Sequence, residues 1–131
     1  MRGSSASKKP VDRRRKRAER SGHWAEAMAL AALSLKGYRL LARRFRTPHG
    51  EIDLIMRRGR VTAFIEVKRR SDIDSASMAV TPYQAKRIAA ASRFWLSRDS
   101  GAFAGDCRFD IVGVSPYRWP RHIPNAFEAR E

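Results

Sequence analysis

The sequence predicts an α/β domain in which a mixed β-sheet is flanked by α-helices, and three patterns carry this prediction. A run rich in Ala, Leu and Met from Trp24 to Lys36 is typical of a helix. Two later segments, Glu51 to Met56 and Val61 to Arg69, alternate polar and apolar residues as strands do. The stretch Thr81-Pro82-Tyr83-Gln84 has the form of a helix-capping box. Helices and strands therefore follow one another along the chain, as in α/β domains.

The first predicted helix places a carboxylate on an apolar face. Gly37 follows the run and fits the position of a helix C-terminal cap. Leu30 and Leu33 lie at i+4 and i+7 from Glu26, so Glu26 belongs to a stripe that should face inward. A charge without a partner is costly there, which makes Glu26 a candidate functional residue.

Three strands are predicted after this helix. Tyr38 to Phe45 suits a first strand, and Thr47 to Gly50 supplies a turn. The two alternating segments come next and are separated by Arg57-Arg58-Gly59-Arg60. This separation predicts a β-hairpin whose loop has two residues, Arg58 and Gly59, or four.

The register of this hairpin determines which side chains share a face. With either loop length, Asp53 pairs with Phe64 and Glu51 pairs with Glu66. One face then consists of core residues, and a loop of three residues would move Asp53 to that face. The other face carries Glu51, Asp53, Thr62, Phe64, Glu66 and Lys68.

A second helix and a further strand complete the predicted domain. The helix starts at the capping box, and its inward stripe comprises Gln84, Ile88, Ala91 and Trp95. We interpret Phe94 and Trp95 as core or dimer contacts rather than as base-stacking platforms. Arg108 to Val114 predicts another strand, and Ser115 to Pro124 predicts an irregular connection.

Charge points to a polyanionic partner. The chain has 28 Lys and Arg residues against 13 Asp and Glu residues, a formal charge of +15, which favours nucleic acid as a partner. We predict a disordered basic arm over residues 1–20 and a folded domain over residues 21–131. The arm is either a solvated tail or a contact to nucleic acid, and its candidate contacts are Arg13, Arg14, Arg15, Lys16 and Arg17. Lys86 and Arg87 on the second helix are candidates too, with a solvated helix face as the equal alternative.

Cysteine content and hydropathy favour a cytoplasmic protein. Cys107 is the single cysteine, which excludes an internal disulfide and a cysteine-based zinc site. No small-residue cleavage site follows the apolar run from Met28 to Leu35, so export is disfavoured. No segment reaches the ~18 apolar residues that cross a bilayer, and we therefore expect no membrane partner.

The acidic residues are candidates for a metal site. Phosphodiester hydrolysis needs a divalent cation and an activated water, and hard cations such as Mg²⁺ or Mn²⁺ prefer oxygen ligands. Asp53, Glu66 and Glu26 supply carboxylates, and the main-chain carbonyl of Val67 is a further candidate ligand. Lys68 follows Glu66 by two residues and points the same way, so its ammonium can orient water or meet a phosphate.

The simpler alternative is a solvated strand face. Glu66 and Lys68 alone fit that interpretation, because alternating charge is common on exposed strand faces. Asp53 lies in an otherwise apolar run, however, and Glu26 lies on an apolar helix stripe. The presence of Asp53 and Glu26 therefore favours a functional cluster over a merely polar surface.

The order of these motifs resembles a known nuclease superfamily. Gly22-x-x-x-Glu26 is followed by Gly50-Glu51-Ile52-Asp53-Leu54-Ile55 and then by Phe64-Ile65-Glu66-Val67-Lys68. This arrangement closely resembles the PD-(D/E)xK superfamily and, within it, the YraN-like family, from about Gly22 to Phe127. Its layout of a helix followed by a hairpin is also similar to the archaeal Holliday junction resolvases.

The resemblance implies a restriction endonuclease-like fold and a set of roles. Asp53 and Glu66 would coordinate the metal, Glu26 would support them, and Lys68 would orient water or contact phosphate. Ile52-Asp53 stands where the superfamily has Pro-Asp. The similarity to junction resolvases implies branched or damaged DNA as substrate, acted on by a homodimer.

Three function hypotheses follow. The leading one is a DNA endonuclease that depends on Mg²⁺ or Mn²⁺. The second is a nucleic-acid-binding protein that retains a nuclease fold without catalysis. The third is a basic structural protein of the ribosome or nucleoid, whose binding would be steeply salt-sensitive and indifferent to Mg²⁺.

Overall fold

Within the residues that the structure describes, the chain has the predicted α/β class, with a five-stranded mixed sheet and two helices, and is consistent with a restriction endonuclease-like fold. A computed structural model describes residues 10–74, 77–98 and 105–128, with the backbone alone for residues 10–21. The elements in chain order are α1 (Pro10–Leu35), β1 (Arg39–Thr47), β2 (Gly50–Arg58), β3 (Val61–Arg69), α2 (Pro82–Leu96), β4 (Asp106–Val114) and β5 (Arg121–Ile123).

The strands lie in the sheet in their chain order, from β1 to β5. All neighbouring pairs are antiparallel except β3 and β4, which are parallel and are connected through α2. A parallel pair needs such a crossover, whereas antiparallel strands can be joined by a tight turn. Short β5 lies within the segment predicted to be irregular, where it pairs with the buried half of β4.

The two helices cover opposite faces of this sheet. On one face α1 contributes to a core that includes Leu54 and Ile65, and on the other α2 packs with Ile55 and Phe64. Successive side chains of a strand point to opposite faces, so these clusters belong to the two sides of the sheet. Both faces are therefore buried near the sheet centre, whereas the sequence predicted a core on one face.

Helix α1 is longer than predicted at its N-terminal end. It begins at Pro10 instead of Trp24, so the backbone of residues 10–20 is helical rather than disordered. Arg, Lys, Glu and Ala dominate this stretch and are strong helix formers, which the interpretation as a charged arm overlooked. The C-terminal end is as predicted, because Gly37 adopts a positive φ of 93° and Tyr38 N–H donates to the Leu33 carbonyl. Residues 1–9 lie outside the described part of the chain.

The hairpin of β2 and β3 has a different register from the predicted one. Arg58 pairs with Val61 around a two-residue loop, Gly59 and Arg60, so Ile55 pairs with Phe64 where Asp53 was expected. The predicted pairings of Asp53 with Phe64 and of Glu51 with Glu66 are therefore wrong by two residues. The positive φ of 60° at Gly59 fixes the loop one residue later than expected. An even shift keeps Asp53 on the face that it shares with Glu66. Ile52, which was predicted on the face of Leu54, instead packs with Ile55 and Phe64.

The second helix starts as predicted. The Thr81 side chain accepts a hydrogen bond from Gln84 N–H, and the Gln84 side chain accepts one from Thr81 N–H, which completes the capping box. This cap fixes where α2 begins relative to β3. Among the helices of the described residues, none is both long and apolar enough to cross a membrane.

Candidate metal site

Asp53 and Glu66 meet where the hairpin ladder ends. The last regular pair is Leu54 with Ile65, one step before Asp53 and Glu66 would face each other. Beyond it, Asp53 Oδ2 accepts a hydrogen bond of 2.7 Å from Val67 N–H. The side chain of Asp53 thus replaces a main-chain partner across the hairpin, which holds its carboxylate beside that of Glu66.

The electrostatics of this pair are those of two acids crowded together. Burial raises the pKa of Asp53 from 3.8 to about 8, and the adjacent Glu66 carboxylate adds to the rise. The hydrogen bond from Val67 N–H acts in the opposite direction but is outweighed. Below pH 8 the pair therefore retains a proton unless a cation neutralises it. Two oxygen-donor acids in this condition fit a hard divalent cation.

The pair opens into a pocket between the hairpin and α2. Glu51, Asp53 and Glu66 line it from the sheet, and α2 contributes Tyr83, Gln84, Arg87 and Ile88. Glu51 is exposed and forms an ion pair with Arg46, whose Nε lies 3.2 Å from Glu51 Oε2. Glu51 is thus at the rim, as a solvent-facing acid, while Asp53 and Glu66 lie deeper.

Glu26 approaches from α1 and is paired with a residue of β1. It is 8% exposed, and Arg44 Nε lies 2.8 Å from its Oε1. Burial raises the pKa of Glu26 and the negative charge of Asp53 adds to this, whereas Arg44 opposes the rise. The effect of the Asp53 charge on Glu26 places the two carboxylates near each other.

Arg44 has an unusual backbone conformation. Its φ is 47°, in the left-handed region that residues other than glycine rarely adopt. On either side of Arg44, Arg43 pairs with Leu54 and Phe45 pairs with Ile52. The position that would face Arg44 in this register is Asp53. The irregular backbone of Arg44 therefore lies beside the acid pair, where strained residues commonly cluster in functional sites.

Lys68 lies on the same face of β3 as Glu66, two residues further on. It is only 5% exposed, and its ammonium forms no hydrogen bond or ion pair with any side chain or main-chain group in the described ranges. A buried ammonium without a carboxylate partner remains available for an anionic group or a water. Lys68 is also absent from the lining of the acid pocket.

The structure thus brings together part of the predicted site. Asp53 and Glu66 share a pocket, Glu26 is their neighbour from α1, and Val67 contacts Asp53 through its N–H. No group of three or more His, Cys, Asp or Glu side chains within residues 10–74, 77–98 and 105–128 is arranged to hold a metal ion. The carboxylate pair, rather than a complete cluster, is therefore what the described chain presents.

Three contributors to the site were missed by the sequence analysis. Tyr83 and Gln84 line the pocket because the capping box places the first turn of α2 over the hairpin, a juxtaposition that is not visible in the sequence. Nothing in the sequence pointed to Arg44, because its position in the site depends on an irregular backbone conformation within a strand. The predicted contact Arg87 lines the pocket, whereas Lys86 is exposed and outside it.

Comparisons with known proteins connect these residues to a family. The model of the uncharacterised protein family UPF0102 matches residues 25–114, a range that contains the four predicted catalytic residues. A UPF0102 protein of Methylorubrum extorquens (strain PA1) is 51% identical over 115 residues, covering 88% of this chain and 90% of the relative. A UPF0102 protein of Rhizobium meliloti (strain 1021) is 50% identical over 116 residues, covering 88% and 95%. One of Mesorhizobium japonicum is 51% identical over 116 residues, covering 88% and 93%.

Proposed function

The chain belongs to the uncharacterised protein family UPF0102, the YraN family that its motifs resemble, and we propose that it is a metal-dependent endonuclease acting on branched or damaged DNA. One observation carries the proposal: Asp53 and Glu66 line the same open pocket, where burial and then the neighbouring Glu66 carboxylate raise the pKa of Asp53 to about 8. Such a pair is unfavourable without a proton or a cation, so it is suited to Mg²⁺ or Mn²⁺.

Each residue of the site has a role in this proposal. Asp53 and Glu66 would hold the cation, with the Val67 carbonyl as a further oxygen ligand and Glu26 in support. The cation would neutralise charge on the phosphate and lower the pKa of a bound water. Lys68 would orient the attacking water or contact a phosphate oxygen, which its lack of a carboxylate partner in the described chain supports.

The basic surface supports nucleic acid as the partner. The formal charge of +15 favours polyanions in general, and Arg87 places a guanidinium at the rim of the acid pocket. Lys86 is an exposed neighbour on the same helix. The proposed contacts Arg13, Arg14, Arg15, Lys16 and Arg17 lie in the part of α1 whose side chains are not described, so they remain a prediction.

A second candidate function is nucleic-acid binding without catalysis. The ion pair between Glu26 and Arg44 favours it, because a carboxylate committed to an arginine is less available to a cation. This candidate predicts DNA binding that falls with salt and does not change with Mg²⁺.

A cleavage assay tests the first proposal against the second. Linear, flapped and four-way branched DNA are each incubated with the full-length protein in Mg²⁺, in Mn²⁺ and in EDTA. We expect cleavage of the flapped or branched substrate in either metal and none in EDTA. The Glu66→Ala protein, purified in parallel, should lose more than about 100-fold in rate, since even outer-shell changes at metal sites cost 10–100-fold.

Two results of this assay would contradict the nuclease proposal. Cleavage that persists in Glu66→Ala would assign the activity to a contaminant or to another site. Binding without cleavage in every metal would instead support the non-catalytic candidate. Light scattering of the same preparations, alone and with branched DNA, tests the homodimer that the similarity to junction resolvases implies.

A further inference from the structure

Helix α2 presents an exposed stripe that begins at the acid pocket. Tyr83, Arg87, Ala90, Phe94 and Ser97 are spaced three or four residues apart from the start of the helix to its C-cap, so they lie along one side of it. Tyr83 is 68% exposed and Phe94 is 39% exposed, which is unusual for large aromatic side chains. The stripe is about 21 Å long at ~1.5 Å per residue.

The turn between β1 and β2 forms the opposite wall of a groove along this stripe. The ring of His49 lies 5.9 Å from the ring of Phe94, centroid to centroid. A Cβ placed on Gly50 would lie 2.2 Å from the Arg87 carbonyl oxygen, so the turn contacts the helix backbone directly. The groove between them is lined by His49, Ala90, Arg93, Phe94 and Ser97.

This groove and the acid pocket are consecutive along the helix. Tyr83 and Arg87 line the pocket that contains Asp53 and Glu66, and Ala90 and Phe94, the next members of the stripe, line the groove. A ligand that follows the side chains of this stripe from Phe94 toward Tyr83 would approach the acid pair near the start of the helix.

The end of the stripe that lines the acid pocket, formed by Tyr83 and Arg87, suits unpaired bases and phosphates. The Arg87 guanidinium lies 5.6 Å from the Tyr83 ring centroid and donates a hydrogen bond of 3.4 Å to the Tyr83 hydroxyl. An arginine stacked on an aromatic ring is a surface on which a base can stack beside a neutralised phosphate. Base-stacking groups of this kind bind single strands, because the faces of paired bases are hidden within a duplex.

We propose that this groove binds an unpaired DNA strand and leads it to the acid pair. The inference rests on the proposed function and deepens it by naming the strand of a flap or branch as the segment bound. It also revises the interpretation of Phe94 as a core or dimer residue. Trp95 is the residue that packs inward, with its ring 5.3 Å from that of Phe45, while Phe94 faces the groove.

Binding of a strand in the absence of metal tests this inference separately from catalysis. A fluorescein-labelled deoxythymidine 15-mer and a duplex of equal length are titrated in EDTA with the wild-type protein and with Phe94→Ala, Tyr83→Ala and Tyr117→Ala. Tyr117 is a matched control, because it is 95% exposed and lies outside the groove. We expect Phe94→Ala and Tyr83→Ala each to weaken strand binding about tenfold, as loss of one stacking contact does, with Tyr117→Ala unchanged.

Each outcome is decisive for the groove whatever the cleavage assay shows. Strand binding that is the same in Phe94→Ala, Tyr83→Ala and the control would overturn the inference. Equal weakening of strand and duplex binding would also overturn it, since that pattern reflects charge alone. A change in oligomeric state of Phe94→Ala with unaltered strand binding would assign Phe94 to a dimer contact. Selective strand binding without any cleavage would keep the groove and reject the nuclease.

Discussion

Replacing Asp53 with asparagine is expected to abolish metal-dependent cleavage while making the metal-free protein more stable. Cleavage should fall by more than about 100-fold, because Asp53 is one of the two carboxylates proposed to hold the cation. Stability should rise because asparagine cannot carry the charge that is unfavourable beside Glu66. Its amide oxygen can still accept the hydrogen bond from Val67 N–H, which Asp53 accepts at 2.7 Å.

The pH dependence of this gain follows from the direction of the pKa shift. The pKa of Asp53 is raised from 3.8 to about 8 in the folded protein, so folding of the wild type becomes less favourable as pH rises from about 4 to 8. Asp53→Asn should therefore melt about 4 °C above the wild type at pH 8 in EDTA, corresponding to roughly 1 kcal/mol. The difference should shrink as the pH is lowered toward 4.

A divalent cation should remove this difference. Mn²⁺ or Mg²⁺ competes with the proton for the acid pair, so either should raise the melting temperature of the wild type, and more at pH 8 than at pH 6. The melting temperature of Asp53→Asn should change much less when either metal is added. Asp72→Asn is the control, because Asp72 is an exposed acid of the loop after β3. The pair would not be a cation site if neither metal changed the melting temperature of the wild type and Asp53→Asn were no more stable than the wild type.

A second large effect is expected at Asp110, which belongs to a polar network on strand β4, beside the strand that carries Glu66. Asp110 is fully buried and accepts hydrogen bonds of 2.8 Å from both Arg108 Nε and Nη2, and one of 2.9 Å from Asn125 N–H. His122 Nε2 also lies 2.8 Å from its Oδ2. This carboxylate therefore ties β4 to β5 and to the segment that follows β5.

Asp110→Asn is expected to destabilise the protein by about 3 kcal/mol, because it leaves the Arg108 guanidinium without its anion. Thermal unfolding at pH 7 measures the loss as a fall of about 10 °C in Tm. Asp106→Asn is the matched control, since Asp106 belongs to the same strand and is exposed. A loss below about 1 kcal/mol would mean that the network contributes specificity rather than stability.

The wild-type protein should show this contribution as a loss of stability in acid. Burial alone would raise the pKa of Asp110, but hydrogen bonds from His122, Arg108 and Asn125 outweigh it and lower the value from 3.8 to about 2. The stabilisation is thus complete above about pH 4 and is lost as the pH falls toward 2. Asp110→Asn should lack this acid-sensitive component, which a series of unfolding curves between pH 2 and 5 would show.

Local sequence patterns were sufficient for the elements that are defined by short-range chemistry. The capping box of α2 and the glycine that ends α1 each need only a few neighbouring residues, and both are present as predicted. The start of α1 was wrong, because charge suggested disorder where the helix propensity of Arg, Lys, Glu and Ala favours a helix. Helix propensity and charge pattern favour different structures for this stretch, and the helix propensity prevails.

Some features of the candidate site could be predicted from the sequence, and others could not. The alternation of strand residues was enough to predict that Asp53 and Glu66 share a face. The register error of two residues did not change this prediction, because side chains alternate between faces with a period of two. The sequence could not show that Arg44 would pair with Glu26, because that contact joins a helix to a strand irregularity. It also could not show the groove, whose walls are a helix and a distant turn.

The sequence by itself determined the α/β class, the family and the face on which two acids lie, since periodicity and motif spacing are properties of neighbouring residues. Tertiary structure alone decided that Asp53 and Glu66 share a pocket with α2, that Glu26 forms an ion pair with Arg44, and that Phe94 is exposed beside His49. These features depend on how a helix packs against the sheet. That placement is set by packing among residues far apart in the chain, which no local pattern encodes.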